Sequence, residues 1–100
     1  MRRSINFNYL KNLIEDKNAY VGIIGLGYVG LPLAITFAES GFNVLGIDID
    51  KKKINSLKKF KSYIKHISNK KIEKLIKSRN LDATSNFEEV KNLDAIIICL

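Results

Sequence analysis

One hundred residues, 46% hydrophobic and 27% charged, describe one globular domain or part of one and exclude a second full domain. No apolar run approaches the roughly 18 residues that cross a bilayer, and the start M-R-R-S-I-N-F-N-Y has no apolar core followed by a cleavage site, so the chain reads as cytoplasmic. Cys99 stands alone, which excludes a disulfide framework, and no metal site is expected. The net charge of +7 is uneven: residues 51–79 hold twelve Lys or Arg against one acid, Glu73. No aromatic platform or base-reading motif accompanies these lysines, so they read as a solvated helical face rather than a nucleic-acid surface. Their field could also attract an anionic nucleotide.

The first expected element is a helix from about Asn8 to Asp16, with Leu10, Leu13 and Ile14 at helical spacing. It forms an extension, residues 1–19, ahead of the main domain at 20–100. A strand follows through Val21, Ile23 and Ile24 and runs into Gly25, Gly27 and Gly30, the spacing G-x-G-x-x-G. Each glycine has a separate physical job: a tight turn, close approach of backbone to a pyrophosphate, and close packing of helix on strand.

The next helix is expected from about Tyr28 to Ser40, with Gly30, Leu33, Ala34, Phe37 and Ala38 on the sheet-facing side. Pro32 falls in its early turns, where a missing N–H does least harm, and Gly41 is its stop. The second strand, Asn43 to Ile49, carries Asp48 near its end, 23 residues after Gly25. An acid about 20 residues beyond the motif accepts hydrogen bonds from the adenosine ribose. It also repels a 2′-phosphate, which favours NAD over NADP, although Lys51, Lys52 and Lys53 could soften that repulsion. A lone glycine motif is weak; strand before, helix after, second strand and terminal acid together point to dinucleotide binding.

A second helix is expected over Lys51 to Lys59, with Asp50 as N-cap and Ile54 and Leu57 inward. Phe60 to Ile67 reads as irregular, and Asn69 to Ser78 as helix through Ile72, Leu75 and Ile76. Leu81 to Thr84 is a third strand, and Ser85 with Glu88 has capping-box spacing for a short helix through Val90. Asp94 to Leu100 is a strand without a polar face, of the kind found inside a covered sheet.

Right-handed crossovers give the order 3-2-1-4, an α/β fold with a Rossmann-like doubly wound parallel sheet of which only the first four strands are present. The fourth strand is then an apolar edge, which folded proteins avoid, so the chain reads as a fragment or a truncated product.

The run V-G-I-I-G-L-G-Y-V-G-L-P-L-A, with G-F-N-V-L-G-I-D-I-D after it and D-A-I-I-I-C-L at the end, resembles the UDP-glucose/GDP-mannose dehydrogenase family over about residues 19 to 100. The segment Ser62-Tyr63-Ile64 and the helical extension look more like the branch acting on UDP-N-acetylglucosamine or UDP-N-acetylmannosamine. The resemblance implies oxidation of the C6 alcohol of a UDP-sugar to a carboxylate, with two NAD reduced in sequence, for surface polysaccharide synthesis. A thiolate attacks the intermediate aldehyde and a thioester is hydrolysed. The family's cysteine lies in a downstream sugar-binding domain, so no catalytic residue is expected in this chain, and the chain alone is expected to be inactive.

Cys99, inside an apolar strand, reads as a buried, inert thiol. By the same resemblance, backbone around Tyr28 and Val29 holds the pyrophosphate, Asp48 and Lys53 the adenosine ribose, and Thr84 lies along the cofactor. The full-length protein is expected to be a homo-oligomer. His66 is expected at the surface or on the substrate side. Tyr63 and Ile64 have two readings, contact with the sugar nucleotide or filling a gap beside the sheet. Two rivals stand: a β-hydroxyacid dehydrogenase, against which Tyr28-Val29 and Leu31-Pro32-Leu33 argue, and a non-catalytic nucleotide-binding module.

Overall fold

The computed structural model describes residues 18–99; the helix expected over Asn8 to Asp16, and Leu100, lie outside them. In chain order the elements are β1 (Tyr20–Ile24), α1 (Gly30–Glu39), β2 (Asn43–Ile47), α2 (Lys51–Lys58), α3 (Asn69–Lys77), β3 (Leu81–Thr84), a 3₁₀ helix (Phe87–Asn92) and β4 (Ala95–Ile98). The strands are all parallel in the order β3-β2-β1-β4, as right-handed crossovers require. Ile24 pairs with Ile47 and Ile98, and Ile47 with Thr84, so the carboxyl ends of all four strands lie level. The loops that follow them therefore gather at one end of the sheet, where open α/β folds place their ligands.

Strand alternation divides the core. Val21, Ile23, Val44, Leu81 and Ala83 face the three α-helices, which contribute Leu31, Ala34, Ile35, Ile54, Leu57, Ile72 and Leu75. Leu45 and Ile47 face the other way and pack with Leu93, beyond the 3₁₀ helix, and with Tyr20, Ile24 and Val90. β4 is the expected edge, and only one of its sides is covered: Ile97 packs on the helical core, whereas Ile96 is 45% and Ile98 63% exposed. It is also shorter than the apolar run suggested, because Asp94 is engaged before it, accepting the Tyr20 N–H at 2.8 Å.

Helix α1 corrects the sequence reading twice. It begins at Gly30, with Val29 as N-cap, because Tyr28 and Val29 are still part of the turn. The small residues Gly30, Ala34 and Ala38 do face the sheet, but the inner flank is Leu31 and Ile35, while Leu33 and Phe37 are only partly buried. Its end is a Schellman motif: the Gly41 N–H donates to Ala38 O and the Phe42 N–H to Phe37 O. Gly41 has φ +99°, and the Phe37 and Phe42 rings meet edge to face at 5.5 Å.

Helices α2 and α3 close by the same pattern without glycine, with Phe60 and Arg79 at φ 62° and 64° in the equivalent position. Asp50 caps α2 as expected, accepting the Lys52 N–H at 2.9 Å. The 3₁₀ helix is capped by Asn86, which accepts the Glu88 N–H at 3.1 Å, and not by Ser85.

Candidate functional site

The turn after β1 is built from three glycines in three environments. Gly25 has φ +95°, and its N–H donates to Ile47 O at 2.8 Å. A Cβ on Gly25 would run into the carbonyl oxygen of Cys99, and one on Gly30 into the carbonyl of Gly25. Both positions are closed by the fold itself. A Cβ on Gly27 would meet nothing within 4 Å. Side-chain absence there leaves an open ledge at the start of α1, beside Tyr28 and Val29, which are 86% and 64% exposed. The N–H groups of Tyr28, Val29 and Gly30 make no hydrogen bond among the described residues, as expected of a helix's first turn. With the dipole of α1 behind them, these unpaired donors have the electrostatic character that suits an anion.

Asp48 lies immediately after β2, which ends at Ile47 and not at Ile49. The strand stops there because the Asp48 carboxylate turns back to the glycine turn: Oδ2 accepts the Leu26 N–H at 2.8 Å and Oδ1 the Asp50 N–H at 2.8 Å. An ionised carboxylate has about four acceptor positions. Two are thus taken by backbone N–H groups, and two are not used by these bonds. Lys53 stands with Nζ 3.9 Å from Oδ2, a loose and partly exposed ion pair.

Leu26 is held on its other side as well. Its side chain is fully buried against Gly46, and its carbonyl accepts the Tyr63 hydroxyl at 2.6 Å. Burial, followed by the nearby charges of Asp48 and Asp50, pushes the Tyr63 phenol well above its ordinary value, so the hydroxyl remains a donor. Ile64 beside it is buried in the core. Sequence reasoning did not find the Tyr63–Leu26 bond, because a contact across 37 residues leaves no periodic signal.

The remaining expected residues divide. Thr84 ends β3; its carbonyl accepts the Asp48 N–H at 3.2 Å and its Oγ1 the Asn86 N–H at 3.0 Å. It borders a hollow of about 310 Å³ with Lys51, Asn55 and Lys58, on the α2 side of Asp48. Gly25, Gly27, Tyr28, Val29, Gly30, Asp48, Lys53 and Thr84 thus share the carboxyl end of the sheet. A larger hollow of about 590 Å³ lies at the opposite end, against Tyr20, Asn43, Arg79 and Asp82, away from this cluster.

Cys99 is half-buried rather than buried, since it follows the edge strand, and its N–H donates to Ile24 O at 2.7 Å. His66 is exposed. The basic side chains of α2, α3 and the loop between them line the surface, and Lys71 and Lys77 pair with Glu39 and Glu73. Among the described residues no helix is long and apolar enough to cross a membrane.

Residues 19–100 match the NAD-binding-domain model of the UDP-glucose/GDP-mannose dehydrogenase family. The chain is similar to Protein CapL of Staphylococcus aureus, 40% identical over 83 residues that make up 83% of this chain and 18% of that protein. It is also similar to UDP-N-acetyl-D-glucosamine 6-dehydrogenase of Salmonella typhi, 41% identical over 78% of this chain and 17% of that protein. Among solved structures, UDP-D-ManNAc dehydrogenase from Pyrococcus horikoshii superposes with a TM-score of 0.74 at 32% identity, over 81% of this chain and 20% of that one. The chain therefore spans about a fifth of the length of these relatives.

Proposed function

Since the chain belongs to the UDP-glucose/GDP-mannose dehydrogenase family and is its NAD-binding domain, we propose that it serves a nucleotide-sugar 6-dehydrogenase. That enzyme oxidises the C6 alcohol of a UDP-N-acetylhexosamine, or of UDP-glucose, to a uronate used in surface polysaccharide synthesis. One juxtaposition carries the reading: the Asp48 carboxylate and the open ledge at Gly27 are joined through Leu26. A dinucleotide needs those two features side by side, an acceptor for ribose hydroxyls and free donors for a pyrophosphate.

In this reading the N–H groups of Tyr28, Val29 and Gly30 hold the pyrophosphate, with Gly25 and Gly30 shaping the turn and Gly27 admitting the ligand. The two unoccupied acceptor positions of Asp48 take the adenosine ribose hydroxyls, with Lys53 beside them, and Thr84 lies along the cofactor. Bound there, NAD supplies the hydride acceptor. The described residues bind and orient it, and the sugar chemistry belongs to the remainder of the enzyme. The names of the similar proteins and the segment Ser62-Tyr63-Ile64 support an N-acetylated sugar. We further assign residues 1–19 as an extension preceding the domain at 20–100, a cytoplasmic site of action, and a homo-oligomeric full-length enzyme. The unpaired Cys99 accords with a reducing compartment.

The test is NADH formation by the full-length protein with UDP-N-acetylglucosamine, UDP-N-acetylmannosamine and UDP-glucose. Turnover with an N-acetylated sugar is expected, and no turnover with any of the three refutes the proposal.

A further inference from the structure

The segment between α2 and α3 is folded into a small knot. The Ser62 N–H donates to Asn69 Oδ1 at 2.8 Å; the Ser62 hydroxyl donates to Ile64 O at 2.9 Å and accepts the Ile64 N–H at 3.1 Å. Ile64, 7% exposed, anchors the knot in the core. Two fixed neighbours thus leave Tyr63 little choice of direction, and its hydroxyl reaches the Leu26 carbonyl at 2.6 Å.

That carbonyl belongs to the peptide unit whose N–H is Gly27's. Its plane sets the orientation of the ledge and of the chain entering α1. The preceding peptide unit, which carries the Leu26 N–H, is held by Asp48. Asp48 and Tyr63 therefore grip consecutive peptide units of the glycine turn from two different segments of the chain.

We propose that Tyr63 is a positioning residue for the cofactor: through the Leu26–Gly27 peptide it keeps the turn in the arrangement that receives the dinucleotide's pyrophosphate. This deepens the proposed function and rests on it. Tyr63 reaches the turn through the Leu26 carbonyl. Its hydroxyl acts by raising the fraction of molecules whose turn is already competent, and affinity scales with that fraction.

The experiment compares the intact protein with Tyr63→Phe, which keeps the ring and removes only the hydroxyl. NAD binding by calorimetry should weaken about three- to tenfold, the worth of one lost hydrogen bond. In steady state, KM for NAD should rise by the same factor while kcat at saturating NAD and KM for the nucleotide sugar hold. A double-mutant cycle with Asp48→Asn adds an independent readout: because both side chains grip one turn, the paired loss should depart from the product of the single losses. Wild-type affinity in Tyr63→Phe, or strict multiplicativity in the cycle, overturns the positioning role alone. Failure of the wild-type protein to bind NAD overturns the proposed function, and this inference with it.

Discussion

Alanine at Gly27 and alanine at Gly30 should have opposite effects, though the two positions are three residues apart. A Cβ on Gly30 falls on the backbone carbonyl of Gly25, which cannot swing aside as a side-chain tip would. Gly30→Ala must therefore displace the start of α1 or the end of β1, at a cost on the order of 4 kcal/mol or more. At about 4–8 °C per kcal/mol for a domain of this size, its melting point should fall by roughly 15 °C or more. A Cβ on Gly27 meets nothing within 4 Å. Gly27→Ala should leave stability within about 1 kcal/mol of the parent, and on the favourable side, because the unfolded chain loses freedom.

Its effect should appear only with ligand. A methyl on the ledge occupies space that the pyrophosphate needs, a loss of about 2–3 kcal/mol, or roughly 30- to 150-fold in affinity. Circular dichroism melts without ligand and calorimetry with NAD measure the two quantities separately. Gly27→Ala that binds NAD within about twofold of the parent would show that the ledge is not where the pyrophosphate lies. A melt as damaged as that of Gly30→Ala would show that the two glycines are not divided between ligand and fold.

The helix ends offer two further tests. Gly41→Ala places a Cβ at φ +99° and should cost about 1–2 kcal/mol, read as a lower melting temperature with NAD affinity unchanged, since the site is at the other end of α1. Arg79→Gly should raise the melting temperature by several degrees, because an exposed arginine at φ 64° carries about 1 kcal/mol of backbone strain that glycine does not. A decrease would mean that the arginine side chain holds more than the strain costs.

The features legible in the sequence were those encoded locally. A short apolar run and the glycine spacing give β1 and its turn, the distance from Gly25 gives Asp48, and crossover handedness gives the strand order. The misread features depend on contacts between distant segments. α1 starts late because Tyr28 and Val29 remain in the turn, their N–H groups making no hydrogen bond among the described residues. β2 stops early because Asp48 is drawn to Leu26. The ends of α2 and α3, by contrast, fall within one residue of the expected Lys59 and Ser78, although Phe60 and Arg79 close them in a conformation that composition assigns to glycine. The separate jobs read from G-x-G-x-x-G are matched by what surrounds each Cα, backbone at Gly25 and Gly30 and open space at Gly27. Tyr63 is the clearest case of a contact between distant segments, since its knot of Ser62, Ile64 and Asn69 has no repeating pattern, and its partner is 37 residues away.

Asp48 poses the sharper question of whether one carboxylate both builds the turn and selects the cofactor. Removing it in Asp48→Ala deletes two hydrogen bonds to backbone N–H groups, Leu26 and Asp50, which are 2.8 Å long in each case. Bonds to a charged acceptor contribute about 1.5–3 kcal/mol each, and water replaces part of the one at the more exposed Asp50, so a stability loss of about 2–3 kcal/mol is expected. A loosened turn weakens any dinucleotide. The ribose contact adds a second loss that only NAD feels: two hydroxyl bonds to the carboxylate, about 3 kcal/mol, or roughly 100-fold. A 2′-phosphate, by contrast, is repelled by the carboxylate, so removing it relieves NADP while Lys51, Lys52 and Lys53 remain nearby. The diagnostic quantity is therefore the ratio of NAD to NADP affinity, which should fall by at least about 100-fold in Asp48→Ala. Equal losses for both cofactors would mean that Asp48 only props the turn, and that the ribose is held elsewhere.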